Sequence, residues 1–213
     1  MDGALKVNWD GYWEGFMSNP LIEKLRFNLV KGAYQRLLRS IVLPINPKFC
    51  ELGAGTGKVS RFLGDAYGAD ITIVDNNSKA LTINQEIFKD FIGQHKQIAK
   101  NVLDLSALDQ HFDLVHSGGL IEHFVTKARE AIIKIHVDLV KPGGFILILV
   151  PVRNIWYRIL NEGIFKTLHL LDQIPEEPWS LQELESALKR HGGEIIATTM
   201  VITELGVLAR KTS

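Results

Sequence analysis

The run Glu51-Leu52-Gly53-Ala54-Gly55-Thr56-Gly57 is the feature that most constrains the fold of this chain. It joins the end of an apolar stretch to three glycines spaced two apart. Glycines at alternate positions let the backbone turn tightly and let a ligand lie against bare amide groups, because no Cβ stands in the way. Apolar residues then recur at helical spacing, at Val59, Phe62, Leu63 and Ala66. Since the amides of a helix N-terminus point towards the preceding turn, this strand, turn and helix suit a nucleotide-like ligand.

Three classes of ligand-binding loop contain similar glycines, and their spacing distinguishes them. Aligning the lysine of a phosphate-binding P-loop with Lys58 puts Leu52 at its first glycine and Val59 at its hydroxyl residue. The dinucleotide fingerprint would put Lys58 at its third small residue, where the helix packs closely on the sheet, so a nicotinamide-dependent oxidoreductase is a weaker alternative. The remaining pattern, acidic-x-G-x-G-x-G after a strand, resembles the first motif of class I S-adenosylmethionine-dependent methyltransferases at every fixed position.

Apolar segments alternate with helical patterns along the chain. Asn19 and Pro20 predict the start of a helix that ends before Pro44. The predicted strands are 49–52, 71–74, 98–103, 112–116 and 145–150, followed by 195–200 and 205–210. The last two are linked too tightly for a parallel crossover, so they should pair antiparallel. The pattern predicts an α/β, doubly wound Rossmann-like methyltransferase fold with a mostly parallel seven-stranded sheet and an antiparallel C-terminal hairpin.

We expect one methyltransferase domain over residues 1–213. Its predicted parts are an N-terminal helical arm (1–47), a donor-binding core (48–150), a lid or insertion (151–179) and a C-terminal helix and hairpin (180–213). The last part opens on a clear local signal, because Ser180-Leu181-Gln182-Glu183 predicts a helix N-terminus with a capping box.

Acidic residues follow the predicted second and third strands, and ligands of such sheets bind at the carboxyl ends of the strands. Asp75 comes eighteen residues after Gly57, close to the spacing at which a carboxylate binds ribose hydroxyls, while helix capping can fall to Asn77 or Ser78. The resemblance implies that Asp104 accepts a hydrogen bond from adenine, with a capping aspartate as the alternative, and that Glu51 orients the methionine part of the donor. The predicted cofactor-binding set is Glu51, Gly53, Ala54, Gly55, Gly57, Asp75, Asn76, Asp104, Leu105 and Ser117.

The segment Gly118-Gly119-Leu120-Ile121-Glu122-His123-Phe124 resembles the region after strand four in small-molecule methyltransferases such as those of quinone biosynthesis. Methyl transfer needs a general base only when the nucleophile starts protonated. His123 is the first candidate for that base and Glu122 the second, because both lie just beyond a predicted strand end. Capping, pairing or packing at a helix start is the structural alternative. Ser117–Leu120 does not match the [DN]-P-P-[YF] motif of adenine and glutamine methyltransferases, which argues against nucleic-acid bases as acceptors.

Aromatic residues gather outside the predicted sheet, near the N-terminus and in the connection after the fifth strand. The resemblance implies that both regions roof the donor and shape the acceptor pocket. The predicted substrate-binding residues are Tyr12, Trp13, Trp156 and Tyr157. Anchoring of peripheral segments or a dimer contact is the alternative. Four positively charged or titratable side chains in the same connection either receive an acidic group of the substrate or form a solvated face: Arg153, Arg158, Lys166 and His169.

The composition narrows the remaining possibilities. The formal net charge of zero leaves no broad electrostatic surface for nucleic acid or anionic membrane, which favours a small-molecule substrate. Cys50 is the only cysteine, so no internal disulfide or cysteine-based zinc site can form, and we expect no metal. No signal peptide or membrane span is visible, so we expect a cytoplasmic protein. The predicted function is methyl transfer from S-adenosylmethionine to a small molecule, and the main alternative is a noncatalytic S-adenosylmethionine-binding partner or sensor.

Overall fold

The structure is a computed structural model that describes residues 3–15, 20–105, 111–152, 154–157, 159 and 175–212. Its helices are α1 (Trp9–Gly15), α2 (Pro20–Leu38), α3 (Lys58–Tyr67), α4 (Ser78–Ile87), α5 (Thr126–Leu139), the single turn α6 (Ile155–Tyr157) and α7 (Leu181–Arg190). Its strands are β1 (Lys48–Leu52), β2 (Asp70–Asp75), β3 (His95–Ala99), β4 (Phe112–Gly118), β5 (Val140–Pro151), β6 (Gly193–Val201) and β7 (Glu204–Lys211). Two short 3-10 turns, Val102–Asp104 and Ile121–His123, follow β3 and β4.

The seven strands form one sheet in the order β3-β2-β1-β4-β5-β7-β6. Strands β1 to β5 are parallel to one another, whereas β7 lies antiparallel between β5 and β6. The strand order reverses between β1 and β4, which is the switch point where ligands of such sheets bind. The predicted fold class is therefore confirmed, including the antiparallel hairpin at the C-terminal end.

Apolar residues cover both faces of the sheet. On one face α2, α3 and α4 bury Tyr34, Leu63 and Leu81 against the inner strands. On the other face α5 and α7 bury Ile132 and Leu184. Each fully buried side chain of this size contributes about 1.5–3 kcal/mol of hydrophobic free energy. Because both faces are covered, β1, β2 and β4 are held rigidly, and the loops at their carboxyl ends are fixed in place.

Two local signals in the sequence correctly located helix starts. The α2 helix begins at Pro20, while Asn19, its predicted cap, lies outside the described residues. The capping box of α7 is confirmed, since Glu183 N donates to Ser180 Oγ at 3.2 Å and Ser180 N donates to Glu183 Oε2 at 2.8 Å.

The predicted position of the third strand, residues 98–103, was wrong. Strand β3 spans His95–Ala99, and Val102–Asp104 forms a 3-10 turn in which Leu103 N donates to the Asn101 side chain at 3.0 Å. The strand lies at the edge of the sheet, and Ile98 is its one buried residue. An edge strand of this kind has no continuous apolar run, so an apolar-run criterion selected the wrong residues.

Within the described ranges, no helix is both long enough and apolar enough to span a bilayer. The division of the chain into arm, core, lid and C-terminal part remains a prediction.

Candidate active site

The glycine turn connects β1 to α3 and adopts a conformation that favours glycine. Gly53, Gly55 and Gly57 have φ angles of 62°, 52° and 68°. A Cβ on Gly53 would lie 2.5 Å from Leu120 Cδ1, and one on Gly57 would lie 2.1 Å from Asn84 Nδ2. At Gly55 the nearest atom would be Trp13 Cη2, at 2.5 Å. Both the backbone angles and the close contacts therefore require glycine at all three positions.

Asp75, the last residue of β2, holds this turn. Gly55 N donates to its Oδ2 at 2.7 Å, and Asn77 N donates to its Oδ1 at 2.8 Å. Burial raises the pKa of the Asp75 carboxyl, and the backbone hydrogen bonds oppose that rise. Asn77 caps α4, because its side chain accepts a hydrogen bond from Ala80 N at 3.0 Å. Asp75 is therefore not the capping residue, and it lies at the carboxyl end of β2.

A cavity of about 570 Å³ opens beside this turn, at the carboxyl ends of the parallel strands. Its floor comes from the loops after β1, β2, β3 and β4, including Gly53–Thr56, Asp75–Asn77, Lys100–Val102 and Gly118–Leu120. The start of β7, at Glu204, and the segment before α7, at Glu176, complete the wall. This volume is in the range that accommodates a nucleoside-sized ligand together with a second small molecule.

The N-terminal segment forms the roof of the cavity. Trp9, Tyr12 and Trp13 on α1 contact one another edge to face. Asp10 of α1 connects this roof to the loop after β2, because its Oδ1 accepts a hydrogen bond from Asn77 Nδ2 at 2.8 Å. On the opposite side, the Trp9 ring lies 5.0 Å from the ring of His123. The roof therefore bridges the two halves of the cavity.

Glu122 and His123 lie in the 3-10 turn after β4 and line the cavity. Glu122 is 2% exposed, and its Oε2 has no hydrogen-bond partner among the described residues. Burial raises the pKa of Glu122 well above its usual range and lowers the pKa of His123. The neutral imidazole donates from Nδ1 to the Pro175 carbonyl at 3.0 Å, which leaves Nε2 as an acceptor 3.9 Å from Glu122 Oε1.

A buried polar chain lies beneath the glycine turn and ends at Glu51. Tyr34 OH lies 3.1 Å from His116 Nδ1, and Ser60 Oγ lies 3.2 Å from His116 Nε2. Burial lowers the pKa of His116 to about 3, so the ring is neutral and bonds through one donor and one acceptor nitrogen. Ser60 hydrogen-bonds to the carboxyl of Glu51, and burial raises the pKa of that carboxyl to about 8. The second oxygen, Oε2, is buried and has no hydrogen-bond partner among the described residues.

The structure brings five of the ten predicted cofactor-binding residues to the cavity, and the other five do not line it. Ala54, Asn76 and the glycines at 53 and 55 line it together with Asp75, whereas Gly57 and Glu51 lie behind the turn. Ser117 is fully buried and bonded to His136 Nε2 at 2.9 Å, and Leu105 is buried in the core. Asp104 is exposed, and neither it nor Ser117 or Leu105 lines the cavity.

Three of the four predicted substrate-binding residues line the cavity. Tyr12, Trp13 and Tyr157 line the cavity, but the Trp156 side chain is 55% exposed on the outer surface. Arg153, Arg158, Lys166 and His169 lie outside the described residues.

Sequence reasoning missed several residues that the fold brings to the site. Asn84 is fully buried under the turn and donates to Thr56 O at 3.1 Å. Lys100 and Asn101 follow the misplaced edge strand, and Glu176 and Glu204 come from parts of the chain distant in sequence. Asparagine favours turns, so Asn101 could have been found from its residue type. No local sequence pattern points to Glu176 or Glu204.

The fold and the glycine turn define an α/β protein that binds a nucleotide-like ligand at the switch point of a doubly wound sheet. Residues 50–146, slightly under half of the chain, match the family profile described as "Methyltransferase domain". No curated protein sequence is significantly similar to the chain.

Several solved structures share the fold at low sequence identity. An O-methyltransferase family protein from Burkholderia thailandensis is 16% identical with a TM-score of 0.67; the match covers 87% of this chain and 57% of that protein. Magnesium protoporphyrin IX methyltransferase from Synechocystis, with bound S-adenosylhomocysteine (SAH), is 16% identical with a TM-score of 0.67 and coverages of 87% and 82%. A proposed methyltransferase from Haloferax volcanii, in complex with the Trm112 methyltransferase activator, is 13% identical with a TM-score of 0.73 and coverages of 99% and 100%.

Residues 50–146 thus match a methyltransferase domain profile and lie within the seven-stranded sheet fold. The predictions of a methyltransferase enzyme and of S-adenosylmethionine as its cofactor agree with both comparisons.

Proposed function

We propose that this chain transfers a methyl group from S-adenosylmethionine to a small-molecule acceptor bound in the same cavity. The observation that carries the proposal is the glycine turn, which is held by Asp75 and opens into a cavity that Glu122 and His123 also line. One cavity thus joins a donor site to a pair of titratable side chains. The resemblance to the quinone-biosynthesis group rests on the segment 118–124 alone and remains a finer proposal.

The donor half fits S-adenosylmethionine in its polar groups. Asp75 presents a carboxylate at the end of β2, suited to ribose hydroxyls. Glu51 lies behind the turn and does not line the cavity, so we assign it to support of the turn through its hydrogen bond with Ser60. Lys100, Asn101 and Val102 line the remaining donor wall, where we place the adenine end.

The bound donor supplies a methyl group on a positively charged sulfur, so the protein's main task is to align the acceptor and exclude water. The roof of Trp9, Tyr12 and Trp13 covers the cavity. His123 offers an unprotonated Nε2 at the acceptor side, held in this tautomer by the Pro175 carbonyl. We propose His123 and Glu122 as the groups that accept a proton from the acceptor.

The test is calorimetric titration with S-adenosylmethionine, SAH and NADH. We expect binding of the first two only. Gly55→Ala should weaken SAH binding at least tenfold, because a Cβ would meet Trp13 and the alanine would be strained at a φ of 52°. Gly143→Ala is the matched control: Gly143 also has a positive φ, 74°, but nothing lies within 4 Å of its Cβ position.

Two outcomes would overturn the proposal or part of it. Failure of both S-adenosylmethionine and SAH to bind would refute the donor assignment. Donor binding without SAH formation on any member of an acceptor panel would support the noncatalytic alternative, a binding partner or sensor.

A further inference from the structure

Three carboxyl groups line the side of the cavity that faces away from the donor residues. Glu122 follows β4, Glu204 begins β7 opposite Pro151 at the end of β5, and Glu176 lies in the segment before α7. In the sheet order, β7 stands three strand spacings from β1, or about 14 Å. Glu204 therefore lies across the cavity from Asp75 and the glycine turn, and Glu122 lies between them after β4, where an acceptor would be placed.

The neighbouring groups do not neutralise these carboxyls. Arg26 of α2 is the cation that lines this side among the described residues, and its charge acts mainly on Glu204. Arg129 lies outside the lining, where it donates to the backbone carbonyls of Phe124 and Glu177 and pairs with Glu177 Oε2 at 3.0 Å. Its positive charge also acts on Glu122. His123 is neutral. Three carboxyls thus share this side with one lining guanidinium. Burial and their mutual repulsion raise the pKa of Glu122 and Glu204, and a positively charged ligand between them would relieve that repulsion.

Glu122 gives the most direct indication of a missing partner. It is 2% exposed, lines the cavity, and has an Oε2 without a hydrogen-bond partner among the described residues. Its Oε1 lies 3.9 Å from His123 Nε2, too far for a hydrogen bond, and that nitrogen carries no proton while Nδ1 donates to Pro175. A buried acceptor without a hydrogen bond is destabilising, and a ligand carrying N–H donors would supply the missing bond.

The hydroxyl of Tyr157 already donates its hydrogen bond on this side of the cavity. Its hydroxyl donates to Glu176 Oε1, so its one proton is already engaged there. Trp9 and Tyr12 present aromatic rings above the same region. Aromatic faces beside carboxylates attract cations through the ring quadrupole as well as through charge.

We propose that the methyl acceptor is an amine that binds as an ammonium ion, with Glu122 as its primary partner and Glu176 and Glu204 as its second and third. This inference rests on the proposed methyl-transfer function and specifies its substrate class. An ammonium group has three N–H donors and no acceptor, which matches a surface of carboxylates.

Other acceptor classes fit this side less well. A carboxylate or phosphate would approach three acidic side chains, and like charges at short distance repel each other. A neutral alcohol or phenol brings one donor and no charge, so it would leave the other carboxyls uncompensated.

The methyl-transfer step then balances as follows. Burial favours the protonated form of Glu122, and the positive charge of the bound ammonium favours the ionised form, so the carboxyl is ionised when the ammonium binds beside it. The ammonium nitrogen then gives one proton to this carboxylate and becomes a neutral amine with a free lone pair. That nitrogen attacks the methyl carbon, so an N–C bond forms as the C–S bond breaks and its electrons return to sulfur. The products are neutral SAH, an N-methylammonium ion and protonated Glu122. The total charge, one positive unit, is the same before and after.

The test uses the full chain saturated with SAH and a probe set in which each carbon skeleton occurs as amine, alcohol and carboxylate, for example benzylamine, benzyl alcohol and benzoate. Affinities are measured by calorimetry. We expect the best amine to bind at least about tenfold more tightly than its matched alcohol, a difference of about 1.4 kcal/mol, and the carboxylate to bind most weakly. With S-adenosylmethionine in place of SAH, the same amine should be converted to its N-methyl product.

The variants separate charge from shape. Glu122→Gln keeps the side-chain shape and should lower amine affinity about tenfold while alcohol and SAH affinities stay unchanged. Glu204→Gln should lower amine affinity less, and provides a second measurement if Glu122→Gln folds poorly. Glu194→Gln removes the same charge from an exposed position on β6 away from the cavity and should change nothing.

Alcohols or carboxylates that bind as tightly as their matched amines would overturn the inference. So would a set in which no amine binds, or an amine preference that survives in both Glu122→Gln and Glu204→Gln. Failure of SAH to bind at the outset would instead refute the proposed function itself, so the two failures are distinguishable.

Discussion

Gly57→Ala should destabilise the protein through two separable effects. Gly57 is buried at the start of α3 with a φ of 68°, and a left-handed conformation costs a residue with a Cβ about 1–2 kcal/mol. The new Cβ would also lie 2.1 Å from Asn84 Nδ2. Displacing that amide breaks its 3.1 Å bond to Thr56 O and leaves a buried acceptor unsatisfied, at about 1–3 kcal/mol. The total is about 2–5 kcal/mol.

Gly68→Ala provides the matched control on the other end of the same helix. Gly68 has nearly the same conformation, with a φ of 60°, but nothing lies within 4 Å of its Cβ position. Only the conformational cost of about 1–2 kcal/mol applies there. Typical domains have a stability of about 5–15 kcal/mol, so both variants should fold.

Urea denaturation of both variants measures the free energy of unfolding, and calorimetry with SAH measures the donor site. We expect Gly57→Ala to lose more stability than Gly68→Ala, and to lose SAH affinity while Gly68→Ala keeps it. Equal destabilisation of the two variants would refute the steric argument at Asn84. Unchanged SAH affinity in Gly57→Ala would refute the claim that the turn conformation shapes the donor site.

Three further predictions concern the titratable groups. Asp75→Asn keeps a single acceptor oxygen for the two amides of Gly55 and Asn77, so SAH affinity should fall about 10- to 100-fold by calorimetry, and a change below twofold would contradict the assignment. Because burial raises the pKa of Glu51 from 4.5 to about 8, the folded state binds a proton that the unfolded state releases, and this contribution to stability is present at low pH and is lost as pH rises through that interval. Urea midpoints of the wild type should therefore fall more steeply over this interval than those of Glu51→Gln; parallel pH profiles would exclude a raised pKa. His123→Ala should lower the turnover number at least about tenfold with little change in SAH affinity, and intact turnover would remove His123 from the proton-transfer role.

Sequence patterns predicted those parts of the fold that depend on interactions between residues close in the chain. The glycine turn, the caps at Asn77 and Ser180, and the antiparallel hairpin follow from backbone conformations and short links. The inner strands were found because burial on both faces makes them continuously apolar. The edge strand β3 has one buried residue, so its position depended on its pairing with β2 and was misplaced.

The donor side was similarly accessible from the sequence, because its residues follow consecutive strands in a fixed order. The spacing of Gly53, Gly55 and Asp75 predicted that they lie together at one edge of the sheet, and all three line the cavity. Asp104 was predicted to end the third strand but lies in the 3-10 turn after it, since its position depended on where β3 ends. Ser117 follows a strand in the pattern but points into the core, where it bonds to His136 of α5.

By itself, the sequence determined the fold class and the kind of ligand at the glycine turn, because both depend on local backbone geometry and on the periodic burial of apolar residues. Only the tertiary structure decided which acidic residues gather on the side of the cavity where we propose that the acceptor binds. Glu122, Glu176 and Glu204 come from three separate segments and meet because β7 inserts beside β5. Their shared charge and the unpartnered oxygen of Glu122 depend on distances that no local pattern encodes.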